Sequence, residues 1–241
     1  SKILGLVVRF VQDIKKFFRD ALRVPAYLQL FKAIILGVFS LLPSLTMAIE
    51  TPKYRVISQD GEFEIRQYEP RIIAEVSVPG DLDTASGEGF RTLAGFIFGN
   101  NHTVNQPEVI VSAEESHKIS MTAPVTIEPE DVGDKFFQSK QWRVEFTMPS
   151  QYTLKNLPIP NNPAIHIKEI PSRTYAVVRY SGLNTEHRIN EETRRLFDWI
   201  DNQNLDIKGT PELARYNPPW TLPMLRRNEV LVPIRYKNES R

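Results

Sequence analysis

The feature that most constrains the fold of this chain is a series of strand and helix patterns that begins near residue 52. The segments FEIRQY (63–68) and RIIAEVSV (71–78) alternate apolar and polar residues, as half-buried strands do, and the dipeptide EP between them marks a turn. An apolar stretch at 89–99 predicts a short helix. The segments KISMTAPVTI (118–127) and WRVEFTM (142–148) then predict two further strands.

The same series occurs a second time in the rest of the chain. The segments IHIKEI (165–170) and TYAVVRY (174–180) predict a hairpin, 184–202 predicts a helix, and ELARYN and NEVLVPI predict two closing strands. Six residue pairs match in the same order at an offset of 102 or 103: Ile65 with Ile167, Ala74 with Ala176, Val76 with Val178, Gly80 with Gly182, Leu93 with Leu196, and Phe96 with Trp199. Ordered matches of this kind indicate an internal duplication, with halves at about 52–150 and 163–236.

Each half leaves an apolar sheet face that it cannot bury alone, so the two halves are expected to close on one another. The sequence therefore predicts an α+β fold, a pseudo-symmetric, twisted β-barrel of about eight or nine strands with two flanking helices. We expect this domain over residues 49–241, preceded by an N-terminal helical hydrophobic segment at 1–48.

Residues 1–48 combine a basic amphipathic pattern with a short apolar run. Apolar residues recur at helical spacing over 3–22, interleaved with basic ones, and AIILGVFSLL follows Lys32. Ten helical residues reach about 15 Å, which is half of the roughly 30 Å hydrocarbon thickness of a bilayer. Two interpretations stay open: an export signal peptide with cleavage near Ala48, leading to the periplasm or lumen, or a retained membrane anchor. A helical arm packed on the domain is disfavoured, because too much apolar surface would need covering.

Charge and cysteine content exclude several functions. The first 48 residues carry seven Lys/Arg against two Asp, a net of +5, which leaves 23 basic and 27 acidic residues, a net of −4, for the rest. A slightly acidic domain is a poor binder of phosphate backbones, so no nucleic-acid partner is expected. The chain has no cysteine, which excludes disulfides, thiolate nucleophiles, iron–sulfur clusters and thioether-linked haem.

The segment RYNPPWTLPMLRRNEV (215–230) joins a long apolar run to two adjacent arginines. Together with KISMTAPVTI and EIRQYEP, this segment makes the chain resemble the SOUL haem-binding protein family from about residue 52 to 236. The family fold, a pseudo-symmetric barrel of two similar halves with two helices, agrees with the repeat described above. The resemblance implies reversible, non-covalent binding of haem or a related tetrapyrrole, as a carrier or buffer.

In the family the ligand lies in a shallow apolar groove between the first helix and the loop before the last strand. Here those elements are 89–99 and 217–227. A porphyrin has two apolar faces and an edge with two carboxylates, which apolar side chains and an arginine can bind. The residues that the resemblance implies are Arg91, Leu93, Ala94, Ile97, Pro219, Trp220, Leu222, Met224, Leu225, Arg226 and Arg227.

This chain departs from the family at two places. One family member is proposed to ligate iron through a histidine at the position of Gln67, and glutamine is a poor ligand for haem iron. The first helix offers only Arg91 for a propionate, and the match there is loose. Of the four histidines, His102 is the one that we would test as a replacement ligand.

Alternatives remain for the groove residues. Neighbouring residues of an extended chain point to opposite faces, so one of Arg226 and Arg227 is expected to reach a ligand. Strand parity puts Arg226 on the core side and Arg227 on the outer side, and a salt bridge to Glu229 or to an acid of the first half is the alternative role for either arginine. Trp220 and Met224 are equally compatible with a lid over the barrel end.

No enzyme signature occurs in the chain. We find no Gly-x-Ser-x-Gly motif, no phosphate-binding glycine loop and no histidine pair at metal spacing, so neither an enzyme nor a metal site is expected. The rival class is a small-molecule effector-binding or hydrolytic domain with a similar two-half barrel. A buried acid in the cavity, such as Glu169 facing inward, would favour that class, whereas an open apolar groove beside Trp220 would favour tetrapyrrole binding. A scaffold subunit of a membrane complex is a third possibility.

Overall fold

The computed structural model describes residues 49–103, 116–130 and 139–236. The predicted amphipathic helix and apolar run of residues 1–48 lie outside the described residues. Within the described ranges, no helix has both the length and the apolarity required to cross a membrane.

Twelve strands and two α-helices make up the described part of the chain. The first half contains β1 Tyr54–Asp60, β2 Phe63–Tyr68, β3 Arg71–Pro79, α1 Leu82–Ile97, β4 Asn101–His102, β5 Val125–Pro129 and β6 Gln141–Thr147. The second half contains β7 Ile159–Pro160, β8 His166–Ile170, β9 Arg173–Tyr180, α2 Glu186–Asn202, β10 Asp206–Ile207, β11 Glu212–Arg215, a 3₁₀ turn Pro223–Leu225 and β12 Asn228–Arg235.

Ten of these strands form one curled antiparallel sheet. Its strand order is β1-β2-β9-β12-β11-β5-β6-β3-β8, and β10 adds to β12. The α+β class and the two helices are confirmed, but the described strands leave β1 and β8 as free ends, so the sheet is a half-barrel and not the closed barrel expected. If β2, β3, β5 and β6 are exchanged with β8, β9, β11 and β12, the order from β2 to β8 reads the same backwards. This order fits the internal duplication, which stays a prediction.

Helix α1 begins seven residues before the predicted start at residue 89. Asp81 is its N-cap, and the carboxylate accepts a hydrogen bond from the Thr84 backbone N–H at 2.8 Å. Gly89, which suggested a helix boundary, lies within the helix and faces β6. A Cβ built on Gly89 would lie 2.4 Å from Cγ2 of Val144, so the glycine allows helix and sheet to approach closely.

The strand predicted at 118–127 is wrong in its first half. Regular pairing begins at Val125, after a cis bond between Ala123 and Pro124. Before it, Thr122 forms an isolated bridge with Glu50, and its hydroxyl donates to the carbonyl of Thr147 at 2.5 Å. The side-chain hydrogen bond and the single bridge hold this stretch in place of a continuous ladder.

Both helices pack on the same face of the sheet. The core between them includes residues of even number from the strands and the apolar sides of both helices, among them Ala74, Val76, Val144, Ala176, Val178, Val230, Val232, Leu93, Phe96, Leu196 and Ile200. The opposite face, which we call the charged face, carries the odd-numbered residues of β3, β6, β9 and β12 and includes Glu75, Glu145, Tyr175 and Glu229. The sheet thus has one apolar face, and on the opposite face ionic side chains lie beside a smaller apolar cluster that includes Tyr68, Val177 and Leu231.

Candidate functional site

The loop between β11 and β12 exposes a continuous apolar surface. We call residues 217–227 the 217–227 loop. Its fractional side-chain exposures are 83% for Trp220, 72% for Met224, 67% for Leu225 and 60% for Leu222, and Pro219 is exposed as well. Isolated apolar residues on a surface are ordinary, but four large ones within six residues form a patch of the kind that marks a binding site.

Hydrogen bonds within the loop and to β9's end hold this surface outward. The backbone N–H of Gly182 donates to the Pro223 carbonyl at 3.0 Å, and the N–H of Arg227 donates to Oδ1 of Asn217 at 2.7 Å. The N–H of Leu225 donates to the Leu222 carbonyl at 2.9 Å, closing the 3₁₀ turn. The backbone is thus ordered while its apolar side chains stay in solvent, which lowers the entropic cost of binding a ligand there.

Arg226 and Arg227 point to different places, but only Arg227 lies on the side that strand parity predicted, and Arg226 is not on the core side. The Arg226 guanidinium folds back over the loop, where Nε donates to the Thr221 carbonyl at 2.8 Å and Nη2 donates to the Pro219 carbonyl. Arg227 lies on the charged face, where Nη2 pairs with Oε1 of Glu229 at 2.8 Å and the guanidinium stacks 3.9 Å from the Tyr216 ring centre. The alternative role of a salt bridge to Glu229 is therefore confirmed for Arg227, and only Arg226 lies beside the apolar surface.

Three of the four α1 residues assigned to the groove lie in the core instead. Leu93 and Ile97 are 0% and 1% exposed, and Ala94 is buried with them. They belong to the one apolar stripe of the helix, and the sheet covers that stripe. Of the four, Arg91 alone is exposed. The structure thus leaves Leu93, Ala94 and Ile97 without access to a surface ligand.

Sequence reasoning missed Ser86 and Phe90, two residues of α1 on the side of the helix that contacts β11, the strand leading into the loop. Nη1 of Arg215, two residues before the loop, donates to Oγ of Ser86 at 3.1 Å. One helical turn further, Phe90 is exposed on the same side of α1 and packs edge-on against Phe146. Ser86 and Phe90 flank the apolar stripe of the helix instead of belonging to it, and this position could have identified them as the partly exposed side of α1.

The histidine considered as an iron ligand lies away from the loop. His102 sits on β4, with Nδ1 2.6 Å from Oδ1 of Asn161. Ser86 and the end of α1 are 11 residues apart, or about 17 Å along a helix, and His102 follows that end. Gln67, at the position of the family's proposed ligand, accepts a hydrogen bond from Nε of Arg55 at 2.8 Å. Across the described ranges, no group of three or more residues is placed to hold a metal ion.

The charged face carries a buried ionic cluster that the sequence did not reveal. Nη1 and Nη2 of Arg66 donate to the two carboxylate oxygens of Glu229 at 2.8 and 3.1 Å, and the Tyr216 hydroxyl donates to Oε2 at 2.8 Å. Burial alone would raise the pKa of Glu229, but these hydrogen bonds and the charges of Arg66 and Arg227 hold it below its ordinary value. Glu229 is therefore a buried, ionised and fully bound carboxylate.

A second part of the charged face holds carboxyls that burial keeps protonated. Burial, together with the negative charge of Glu128, raises the pKa of Glu145 to about 7. Burial likewise raises the pKa of Glu212 to about 8, helped by repulsion from Glu145. Arg71 is their positive neighbour. Glu169, the acid considered earlier for this role, is exposed at the sheet edge.

Comparison with known proteins agrees with the resemblance. The family model described as SOUL heme-binding protein matches residues 49–233. A search of curated protein sequences finds no significant match. Among solved structures, the C-terminal domain of EcmrR is 12% identical with a TM-score of 0.53, covering 76% of this chain and 98% of that domain. A hydrolase from Listeria innocua is 7% identical with a TM-score of 0.50, covering 74% of this chain and 94% of its own. At such identities these likenesses concern the fold alone.

Proposed function

Because this chain belongs to the SOUL haem-binding protein family, we propose that it binds haem or a related tetrapyrrole reversibly, as a carrier or buffer without enzymatic activity. The proposed site is the 217–227 loop with the adjoining side of α1. The observation that carries this proposal is the outward display of Trp220, Leu222, Met224 and Leu225 on a hydrogen-bonded backbone.

The chemistry of this surface suits a flat apolar molecule. Trp220 offers an aromatic plane, and Leu222, Met224 and Leu225 offer flexible apolar side chains around it. Complete burial of a side chain of this size contributes about 1.5–3 kcal/mol, and an open groove buries each of them only in part. After the cost of association, a one-to-one complex of roughly micromolar affinity, or about 8 kcal/mol, is the expected range.

One arginine supports recognition of the acidic edge. Two donors of Arg226 are engaged by loop carbonyls, and Nη1 has no partner among the described residues. A propionate can accept a charge-assisted hydrogen bond from this nitrogen. Arg227 is already paired with Glu229, and breaking that pair would leave a carboxylate buried without its partner. The proposal therefore assigns the propionate to Arg226. Axial ligation of the iron is not part of it.

Hemin titration of the full chain tests the proposal. We expect a Soret shift that saturates at about one hemin per chain, with Trp220→Ala and Arg226→Gln each weakening binding by about tenfold. Arg194→Gln, an exposed change on α2, is the matched control and should leave the titration unchanged. Unaltered binding in both loop variants would place the ligand elsewhere. A resonance Raman spectrum of the complex reports the coordination state.

The open apolar surface beside Trp220 supports this function over the rival class. A buried acid in the cavity was to favour a small-molecule effector-binding or hydrolytic domain. Glu169 is exposed, but Glu212 is a buried acid that lines a small cavity, so this criterion does not separate the two classes. The apolar surface beside Trp220 is open, as the tetrapyrrole interpretation requires. The fold likeness to a regulator domain and to a hydrolase does not distinguish the two, because function lies in sites rather than folds.

We also propose that residues 1–48 direct export or hold the protein at a membrane. The supporting features are the basic amphipathic pattern and the apolar run that follows it. Cell fractionation of the chain with and without residues 1–48 tests this, since loss of the segment should move the protein to the soluble fraction of the compartment in which it is made. An unchanged distribution would argue against both an export signal and an anchor.

A further inference from the structure

A cleft of about 560 Å³ lies at the sheet edge, separate from the 217–227 loop. Its walls are the stretch before β1, the turn between β2 and β3, and the end of β6 with residues 148–155 after it, with Glu169 of β8 at one side. No residue of the loop lines it. This volume falls within the range of small-molecule sites, about 300–1,000 Å³, so the cleft can take a ligand of one or two rings.

Arg71 forms the inner wall of this cleft. Arg71 also lines a second cavity of about 20 Å³ next to the cleft. Pro52, Arg71 and Thr147 line both spaces. Its guanidinium lies 5.5 Å from the Tyr68 ring centre and interacts with the hydroxyl of Tyr175. Nη1 of Arg71 is nevertheless buried without a hydrogen-bond partner among the described residues. A buried guanidinium N–H in that state is a donor that lacks an acceptor, which native structures rarely leave.

The acids behind Arg71 do not fully compensate its charge. Glu145 and Glu212 line the smaller cavity. Burial raises the pKa of Glu145 to about 7 and that of Glu212 to about 8, so much of the pair is protonated at neutral pH. The guanidinium remains charged throughout this range. The potential at the inner end of the cleft is therefore positive.

The rim of the cleft adds only exposed charges. It carries two lysines, Lys53 and Lys155, and three acids, Glu50, Glu69 and Glu169, a net charge of −1 that salt screens because all five are exposed. The Glu50 carboxylate accepts a hydrogen bond from the Ser150 backbone N–H at 2.8 Å. The remaining lining is largely apolar and includes Pro70, Ile72, Met148, Pro149, Tyr152 and Leu154.

From this arrangement we propose that the cleft is a second binding site, for a small organic anion whose carboxylate pairs with the half-buried guanidinium of Arg71, the side chain turning so that Nη1, which is closed to solvent in this structure, reaches the cleft. Its apolar body lies against Pro70, Tyr152 and Leu154, of which Leu154 is 52% exposed and free to be covered. The ligand supplies the acceptor that Arg71 lacks, and a carboxylate is the planar partner that a guanidinium binds best. This site is independent of the tetrapyrrole site proposed above.

Isothermal titration of the full chain with 2-naphthoate, compared with the uncharged 2-naphthamide, tests the proposal. We expect naphthoate to bind one to one and naphthamide to bind at least about tenfold more weakly, because only the acid can pair with Arg71. Inorganic phosphate is the third probe, and it should bind more weakly than naphthoate because it lacks the apolar body. Absent binding of naphthoate at millimolar concentration, or equal binding of acid and amide, would overturn the proposal. Phosphate binding as tight as that of naphthoate would refute the role of the apolar wall.

Two variants locate the site without depending on each other. Arg71→Gln should lower naphthoate affinity by at least about tenfold, with circular dichroism as the check that the sheet is intact. Leu154→Asp, at an exposed position, should weaken naphthoate about three- to fivefold more than the neutral control Leu154→Asn, because the new charge repels the ligand. If Arg71→Gln is folded and binds normally, or if the two Leu154 variants bind alike, the ligand is not in this cleft.

The tetrapyrrole site is separated from this one by exchanging the variants. Trp220→Ala should leave naphthoate binding unchanged, and Arg71→Gln should leave hemin binding unchanged. If hemin and naphthoate compete and Arg71→Gln weakens both, the cleft is the tetrapyrrole site and the proposal of a second site is wrong. If hemin fails to bind while naphthoate binds through Arg71, the proposed function falls and the present inference stands.

Discussion

Arg66 and Glu229 are 163 residues apart in the chain, yet they form a two-point ion pair that is almost completely buried, with donor–acceptor distances of 2.8 and 3.1 Å. Strand β9 lies between their two strands in the sheet, on the β2 side of β12. The pair therefore links the first half of the chain to the last strand across an intervening strand.

Removal of one partner of this pair should destabilise the fold strongly. Arg66→Met leaves Glu229 with Arg227 and Tyr216 alone, and we expect a loss of about 3–5 kcal/mol in the free energy of unfolding, measured by urea denaturation. Arg194→Ala is the control, because its pair with Asp198 is exposed and is worth less than about 1 kcal/mol. A loss for Arg66→Met as small as that of the control would show that the buried pair is not needed.

The buried acids of the charged face should make stability fall as pH rises. Glu145 and Glu212 have pKa values of about 7 and about 8 in the fold, against an ordinary value of 4.5. Between about pH 4.5 and pH 8 the folded state thus holds more protons than the unfolded state, and each such proton costs about 1.4 kcal/mol of stability per pH unit of increase. The charged and titratable groups around them are Arg71, Glu75, Glu128, Arg143 and Tyr175.

Thermal denaturation from pH 5 to pH 9 measures this effect. Glu212→Gln removes one of the two groups and should flatten the decline in Tm, whereas the exposed control Glu88→Gln should follow the parent chain. Glu229 acts in the opposite sense, since its lowered pKa contributes stability that is lost as the pH falls through that value. A decline of the same steepness in Glu212→Gln would contradict the assignment.

Two glycines of α1 should respond oppositely to alanine. At Gly87 a Cβ meets nothing within 4 Å, so Gly87→Ala should stabilise the protein by about 0.5–1 kcal/mol through helix propensity. At Gly89 a Cβ would overlap the side chain of Val144, and overpacking costs about 1–3 kcal/mol, so Gly89→Ala should be destabilising. Adding Val144→Ala to Gly89→Ala should recover part of the loss. Equal effects at the two glycines would show that α1 can move away from the sheet.

Trp220 should dominate quenching of the protein's fluorescence by acrylamide. Of the three tryptophans, Trp142 is fully buried, Trp199 is 8% exposed and Trp220 is 83% exposed. Trp220→Phe should therefore remove most of the acrylamide quenching, and its free energy of unfolding should change by less than about 0.5 kcal/mol. Strong quenching that persists in this variant would mean that another tryptophan is accessible.

Local patterns predicted the strands well because each pattern is short and repeats every two residues. The bounds of β2 were predicted at 63–68, as found, and those of β3, β6 and β9 within one residue. The start of α1 was missed because Gly87 and Gly89 suggest a break, while the capping Asp81 lies six residues before the first of them.

The part of the candidate site that depends on a local sequence pattern was predicted, and the part that depends on tertiary packing was not. An apolar loop at 217–227 can be predicted from the local sequence alone, because its three prolines rule out a regular strand there. The local sequence did not predict which side of α1 faces the sheet. Leu93 and Ile97 were therefore assigned to a ligand although the sheet covers them. Pairs such as Arg66 with Glu229, or Arg71 beside Glu145, depend on the strand order, which no local pattern encodes.

The position of Arg226 has a consequence for how long a guest would stay. Its guanidinium donates hydrogen bonds to the carbonyls of Pro219 and Thr221. The side chain that would bind a propionate therefore also holds the backbone of the loop that carries the apolar surface. A propionate that drew the whole guanidinium towards itself would break these hydrogen bonds and make the loop backbone, with its apolar side chains, more mobile. The residence time of the ligand and the rigidity of the loop then depend on the same side chain, because Arg226 takes part in both sets of hydrogen bonds.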